Sequence, residues 1–168
     1  MRSRIAVVGA LVMSLTLTSS VALASTTDVP PDEVDVILDG AGVLKAHGRG
    51  KVVVNGAGWL KINMRGRLRI VDHAGDATIT IRYKGQGGGD DPEQSEVDAG
   101  GLLLTGFNGV VTVRGSDFTI KARGGIKRLA AVGEGTVFMM GRGWWRAKGV
   151  GGGHWSQQGM RISYTLTG

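Results

Sequence analysis

Seven cations recur at odd-numbered positions over one short stretch: Lys45, Arg49, Lys51, Lys61, Arg65, Arg67 and Arg69. No acid falls between Gly40 and Val71 to neutralise them. Cations without interspersed carboxylates attract polyanions, by direct attraction and by release of condensed counterions. The partners that suit this chemistry are anionic surface polymers such as acidic polysaccharide, lipopolysaccharide or teichoic acid, and extracellular nucleic acid. A solvated face, open to neutralisation by the acidic loop from Asp90 to Asp98, is the plainer account of the same residues. A second group could stack on sugars. Trp144 and Trp145 stand before Arg146 and Lys148, and a Trp beside a guanidinium offers a platform to sugar rings or bases. In an extended chain adjacent side chains point to opposite faces, so Trp145 is expected in the core and Trp144 outside. Trp59 joins Trp144 as a glycan-stacking candidate, and Trp155 is a further aromatic.

Other chemistry finds little support. His47, His73 and His154 have no zinc-ligand spacing. His73 lies between Asp72 and Asp76, an arrangement that a polar turn explains as well as an acid–base pair does. Gly85 to Asp91 holds a single glycine–aspartate copy without the alternating spacing of a calcium loop. There is no nucleophile elbow, no phosphate-binding glycine loop and no cysteine. No catalytic, cofactor-binding or metal residue is assigned, and a non-enzymatic role is expected. Glycoside cleavage by paired carboxylates stays open, although the acids cluster in loops.

The elements that must present these side chains read as strands. Asp39 to Ile70 divides into DGAGVLKA, HGRGKVVV, NGAGWLKI and NMRGRLRI, each with Gly at the fourth place and apolar residues at the sixth and eighth. Eight is even, so side-chain alternation stays in step across blocks. The even positions from Val34 to Ile70 are apolar or Gly, and the odd ones carry the cations. Period two argues strand over helix. Blocks one and three match best, as do two and four, so the better unit is sixteen residues. The expected class is all-β, a Gly-rich β-solenoid or β-helix-like repeat. An antiparallel β-meander closed as a barrel or sandwich is the alternative. In the coil, Lys45 is expected to stack over Lys61, Arg49 over Arg65 and Lys51 over Arg67 on adjacent strands. Inward Gly is expected where opposite walls approach closely.

Glu33 to Leu38 reads as the first strand. Val71 to Asp76 is a turn, after which the apolar set becomes odd at Ala77, Ile79, Ile81 and Tyr83. Residues 84–98 read as a loop. Leu102 to Val113 is a second apolar group broken at Gly106 and Asn108-Gly109. Phe118, Ile120 and Ala122 follow a parity change near Gly115. The eightfold phrasing returns in GEGTVFMM and GRGWWRAK. Gly149 to Gly153 reads as a flexible run, and Met160 to Leu166 as a closing strand.

Composition sets the frame. The 168 residues include thirty Gly, far above the usual share of about 7%. Residues 1–24 read as a secretory signal: Arg2 and Arg4, an apolar run from Ile5 to Leu17, and Ala22-Leu23-Ala24 before the cleavage point. The expected mature chain, residues 25–168, is one all-β repeat domain, secreted, periplasmic or attached to a cell envelope, with no transmembrane helix. Without Arg2 and Arg4, eighteen basic side chains face fourteen acids. Five acids lie between Asp28 and Asp39 and five between Asp90 and Asp98. Open solenoid ends and strand edges also invite self-association.

The phrases DGAGVLKAHGRGKVVVNGAG and VGEGTVFMMGRG resemble the Gly-x-Gly phrasing of bacterial auto-transporter adhesin head domains, and more distantly that of bactofilins. The resemblance implies an exported, Gly-rich, β-helix-like domain with a structural or adhesive role. It departs where the serine–glycine pairs of adhesin heads are Ala-Gly or Arg-Gly here. No functional residue is carried over by it.

Overall fold

The computed structural model describes residues 34–84 and 101–168. The secretory signal expected at residues 1–24 and most of the loop expected at 84–98 lie outside them. The described chain is all-β, one sheet with the open order β1-β6-β4-β2. β1 is Val36–Ala41, β2 Leu44–Asp72, β3 Thr78–Tyr83, β4 Leu102–Ala147, β5 Gly151–His154 and β6 Met160–Thr167. β1 begins three residues later than the sequence suggests, and Val34 lies exposed before it.

The register of β2 against β4 positions everything else. Most β2 residues pair with β4 on both sides. Leu44 pairs with Ala147 and Ala131, Ala131 also pairs with Leu60, and Leu60 pairs with Val113. Leu44 and Leu60 are therefore two strands apart, about 10 Å. The sixteen extended residues between them would reach about 50 Å if straight, so the chain must turn back on itself. Residues sixteen apart are consequently not adjacent: a strand of β4, running the other way, lies between them. That corrects the expected stacking of Lys45 on Lys61, Arg49 on Arg65 and Lys51 on Arg67. Ala130, Gly125 and Arg123 respectively stand between the pairs.

The alternation holds. Leu44, Val52, Val54, Leu60, Ile62, Met64, Leu68 and Ile70 are fully buried, and the odd cations turn outward. In β4 the buried set changes parity at Gly106, near Gly115 and again at Lys127. At each point the β2 register slips by a residue, as β-bulges produce. Past the turn, Ile81 is buried, Ala77 and Ile79 are half-buried, and Tyr83 stays exposed with its ring edge against Phe107 at 5.4 Å. The Gly run expected to be flexible is partly strand: β5 pairs with residues 144–147 of β4, and Gly153 packs against the Trp145 indole.

Gly-x-Gly has a specific cause. Gly58 faces Gly133 across the ladder, with φ of +110° and +117°. A Cβ on Gly58 would lie 2.9 Å from the Gly133 Cα and closer still to the Val132 carbonyl oxygen. The obstruction is the neighbouring strand's backbone, where the sequence suggested an opposite wall.

Burial pushes the Tyr164 hydroxyl up to about 12. A folded-state value above the ordinary value of about 10 gives stability that is intact below pH ~10 and lost as pH rises through 12. The phenolate signal removed by Tyr164→Phe is expected only together with loss of β-sheet circular dichroism. Its appearance near pH 10 with the sheet intact would contradict this burial.

Candidate polyanion-binding surface

Cross-strand pairing arranges the outward side chains in rows. Arg146, Lys45, Ala130, Lys61, Thr112 and Thr80 stand in one. Arg128, Asn63, Val110 and Arg82 form the next. Val132, Trp59, Arg114 and Thr78 flank the first row on its other side. None of these rows contains an acid. Beyond Asn63, a further row holds Arg142, Arg49, Gly125, Arg65 and Asn108. A bulge at Lys127 leaves both Lys127 and Arg128 exposed in succession, which simple alternation would forbid.

Two shallow grooves follow these rows. Trp59, Lys61, Asn63, Val110, Arg128 and Ala130 line one of about 340 Å³. Lys61, Thr80, Arg82, Val110 and Thr112 line the other, of about 210 Å³. They share Lys61 and Val110, so together they make a trough that crosses the strands. Its floor is low because Ala130, Val110 and Thr112 are small beside Trp59, Lys61 and the arginines.

The seven sequence-predicted cations do not form one stripe. Lys45, Arg49, Lys61 and Arg65 belong to the rows just described. Lys51, Arg67 and Arg69 lie past the glycines Gly50 and Gly66. There Met140, Lys51, Arg123 and Arg67 share a row, and Val53, Lys121, Arg69 and Leu103 the next. Lys51 also rests 5.7 Å over the Phe138 ring. Lys45 is half-buried and the other six are exposed.

The tryptophans divide as alternation predicts: Trp145 is buried and Trp144 exposed. Trp144 lies between His47 and His154 in its row, with the His47 ring 5.2 Å away. Trp59 is half-buried in the trough wall. Three strand spacings, about 14 Å, and four residues along the strand separate Trp59 from Trp144, so they are not one platform. Trp155 is buried and donates its indole N–H to the Trp144 carbonyl at 3.2 Å.

The described acids collect elsewhere. Asp39, Thr165, Glu134 and Ala57 form a row. Asp117 and Glu134 line one open depression with Thr136, Ser163 and Thr165. The carboxylates near His73 serve backbone. Asp72 accepts from the Gly75 and Ala77 amides at 2.9 and 2.8 Å. Asp76 accepts from the Ser116 amide at 3.0 Å, which holds its carboxyl below the usual value. His73 Nε2 lies 2.8 Å from the Thr119 hydroxyl, which donates to Asn55 Oδ1 at 2.9 Å. This is a structural tether of the turn, as the polar-turn account expects. Among the described residues no three His, Asp or Glu side chains converge as a metal site, and no helix is long and apolar enough to cross a membrane.

Sequence reasoning missed Arg82, Arg114, Arg128 and Arg142 as neighbours of the β2 cations. A signal existed: Gly48-Arg49-Gly50 and Gly56-Ala57-Gly58 are answered in reverse order by Gly141-Arg142-Gly143 and Gly133-Glu134-Gly135, the mark of antiparallel partners. Comparison with protein-family models, curated proteins and solved structures finds no match to this chain.

Proposed function

We propose that this is an exported, non-enzymatic structural or adhesive protein of a cell envelope or matrix, whose basic face holds anionic surface polymer. In this reading β2 and β4 are two antiparallel coils of a Gly-rich β-solenoid, interleaved strand by strand. The observation that carries the reading is the trough bordered by Lys61, Arg82 and Arg128, which holds no acid among the described residues, with Lys45 and Arg146 extending its central row. Excess cation density of this kind has a cost in mutual repulsion that a bound polyanion relieves.

Retention on immobilised polyanion is expected to fall steeply with salt. Changing Lys45, Lys61 and Arg128 together to Gln should lower the log–log salt slope by roughly 2–3, one contact for each lost charge. Co-elution of this variant with the parent protein would count against the reading. A second reading, a carbohydrate-binding module using Trp59 and Trp144, draws support from the Trp59 ring in the trough wall. Neutral-glycan binding abolished by Trp59→Ala or Trp144→Ala, with no salt dependence, would favour it.

A further inference from the structure

We propose that a second basic face, past the glycines Gly50 and Gly66, docks on the surface of an anionic lipid bilayer. This surface goes beyond the polymer reading and does not rest on it, since none of its residues lines the trough or the depression at Glu134. Pairing sets its makeup. Lys51, Arg123 and Arg67 stand side by side on three adjacent strands, and Lys121 and Arg69 are neighbours in the next row. All five are exposed. They fill a block about 10 Å across the strands and about 7 Å along them. Apolar residues flank the block on both sides: Met140 and Phe138 on the strand beside Lys51 and Val53, and Leu103 on the strand beside Arg69. Leu103 is 48% exposed and Met140 36%. Lys51 leans over the Phe138 ring, 5.7 Å from its centroid. Asp35 stands off the block, beyond Phe138 and Arg161, and accepts from the Arg161 amide at 2.6 Å.

The order across the sheet is thus apolar, basic, basic, basic, apolar. A soluble polyanion would satisfy the cations and leave Leu103 and Met140 in water. A bilayer offers both chemistries in layers, anionic headgroups outside and acyl chains beneath, and basic surfaces with apolar flanks bind there. The three charges of the first row, on strands about 5 Å apart, repel one another, and headgroup phosphates relieve that repulsion.

The test is co-sedimentation of the expected mature chain, residues 25–168, with vesicles of phosphatidylcholine alone and of phosphatidylcholine mixed equally with phosphatidylglycerol. Polyphosphate serves as a polyanion without acyl chains. The parent chain is expected to prefer the mixed vesicles. Lys51→Gln with Lys121→Gln should weaken that binding roughly thirtyfold, the product of two losses of about fivefold each. Leu103→Ser should weaken it roughly fivefold, as expected of a partly buried leucine, and leave polyphosphate binding unchanged. Lys61→Gln with Arg128→Gln, in the trough, should leave vesicle binding at the parent's level. All these positions are exposed, and circular dichroism checks that each variant keeps its sheet. No preference of the parent for mixed vesicles overturns the inference. So does vesicle binding that Leu103→Ser leaves intact, which would make the block a site for soluble polyanion, or that the trough pair weakens as much as the Lys51 and Lys121 pair. Polymer retention lost in the trough variant, without vesicle binding by the parent, overturns this inference and leaves the trough reading standing. Vesicle binding with polymer retention indifferent to the trough does the reverse.

Discussion

Gly58→Ala is expected to lower the melting temperature by roughly 10 °C or more. Two costs combine. The backbone at Gly58 has φ +110°, where an L side chain is strained by about 1–3 kcal/mol. The new methyl would also run into the backbone of Val132 and Gly133, and such overpacking costs a further ~1–3 kcal/mol. At roughly 4 °C per kcal/mol for a chain of this size, the sum exceeds what conformational strain alone gives. Two other glycines separate the contributions. Gly75 has φ +75° with nothing within 4 Å of a Cβ, so Gly75→Ala should show strain alone. Gly125 is open and has no left-handed φ, so Gly125→Ala should be neutral or slightly stabilising. Thermal unfolding that ranks Gly58→Ala no lower than Gly75→Ala would show that the strands are not packed backbone to backbone there.

Leu60→Ala is expected to cost about 3 kcal/mol, and Lys61→Ala, one residue on, no more than about 0.5 kcal/mol. Leu60 is fully buried between Ala131 and Val113 in its row, while Lys61 faces solvent from the same strand. A methyl in place of Leu60 leaves a cavity that β4 cannot fill, because its flanking residues are fixed by pairing on both sides. Denaturant titration gives both values. Equal losses from the two substitutions would mean that the alternation does not divide core from surface.

That alternation was legible because an even repeat keeps every inward position on one parity, and Val52, Leu60 and Leu68 needed no tertiary information to be placed. The interleaving was not. A sixteen-residue period in β2 reports that the chain returns to the same phase, but not what lies between successive returns. The strand between belongs to β4, where bulges at Gly106, Gly115 and Lys127 have broken the periodicity that would have announced it. The same gap hid half of the basic surface. Lys45 and Lys61 were visible from β2 alone, whereas Arg128 joins them only by pairing with Asn63, 65 residues away, and Arg82 only by pairing with Val110, 28 residues away. His73 was legible as a turn residue from its neighbours, but its bond to Thr119 depends on that same long-range register.

The makeup of the basic rows, the glycine packing and the core all follow from β4 lying between successive passes of β2. The chain has no native cysteine, so pairs of introduced cysteines can measure this directly. Asn55→Cys with Thr119→Cys should oxidise to a disulfide, since these outward side chains touch across adjacent strands. Asn55→Cys with Val71→Cys, sixteen residues apart and both paired to Thr119, should stay reduced, because two strand spacings of about 10 Å exceed the reach of a disulfide, about 7 Å. Closure of the second pair in place of the first would place residues sixteen apart on adjacent strands and contradict the interleaved fold.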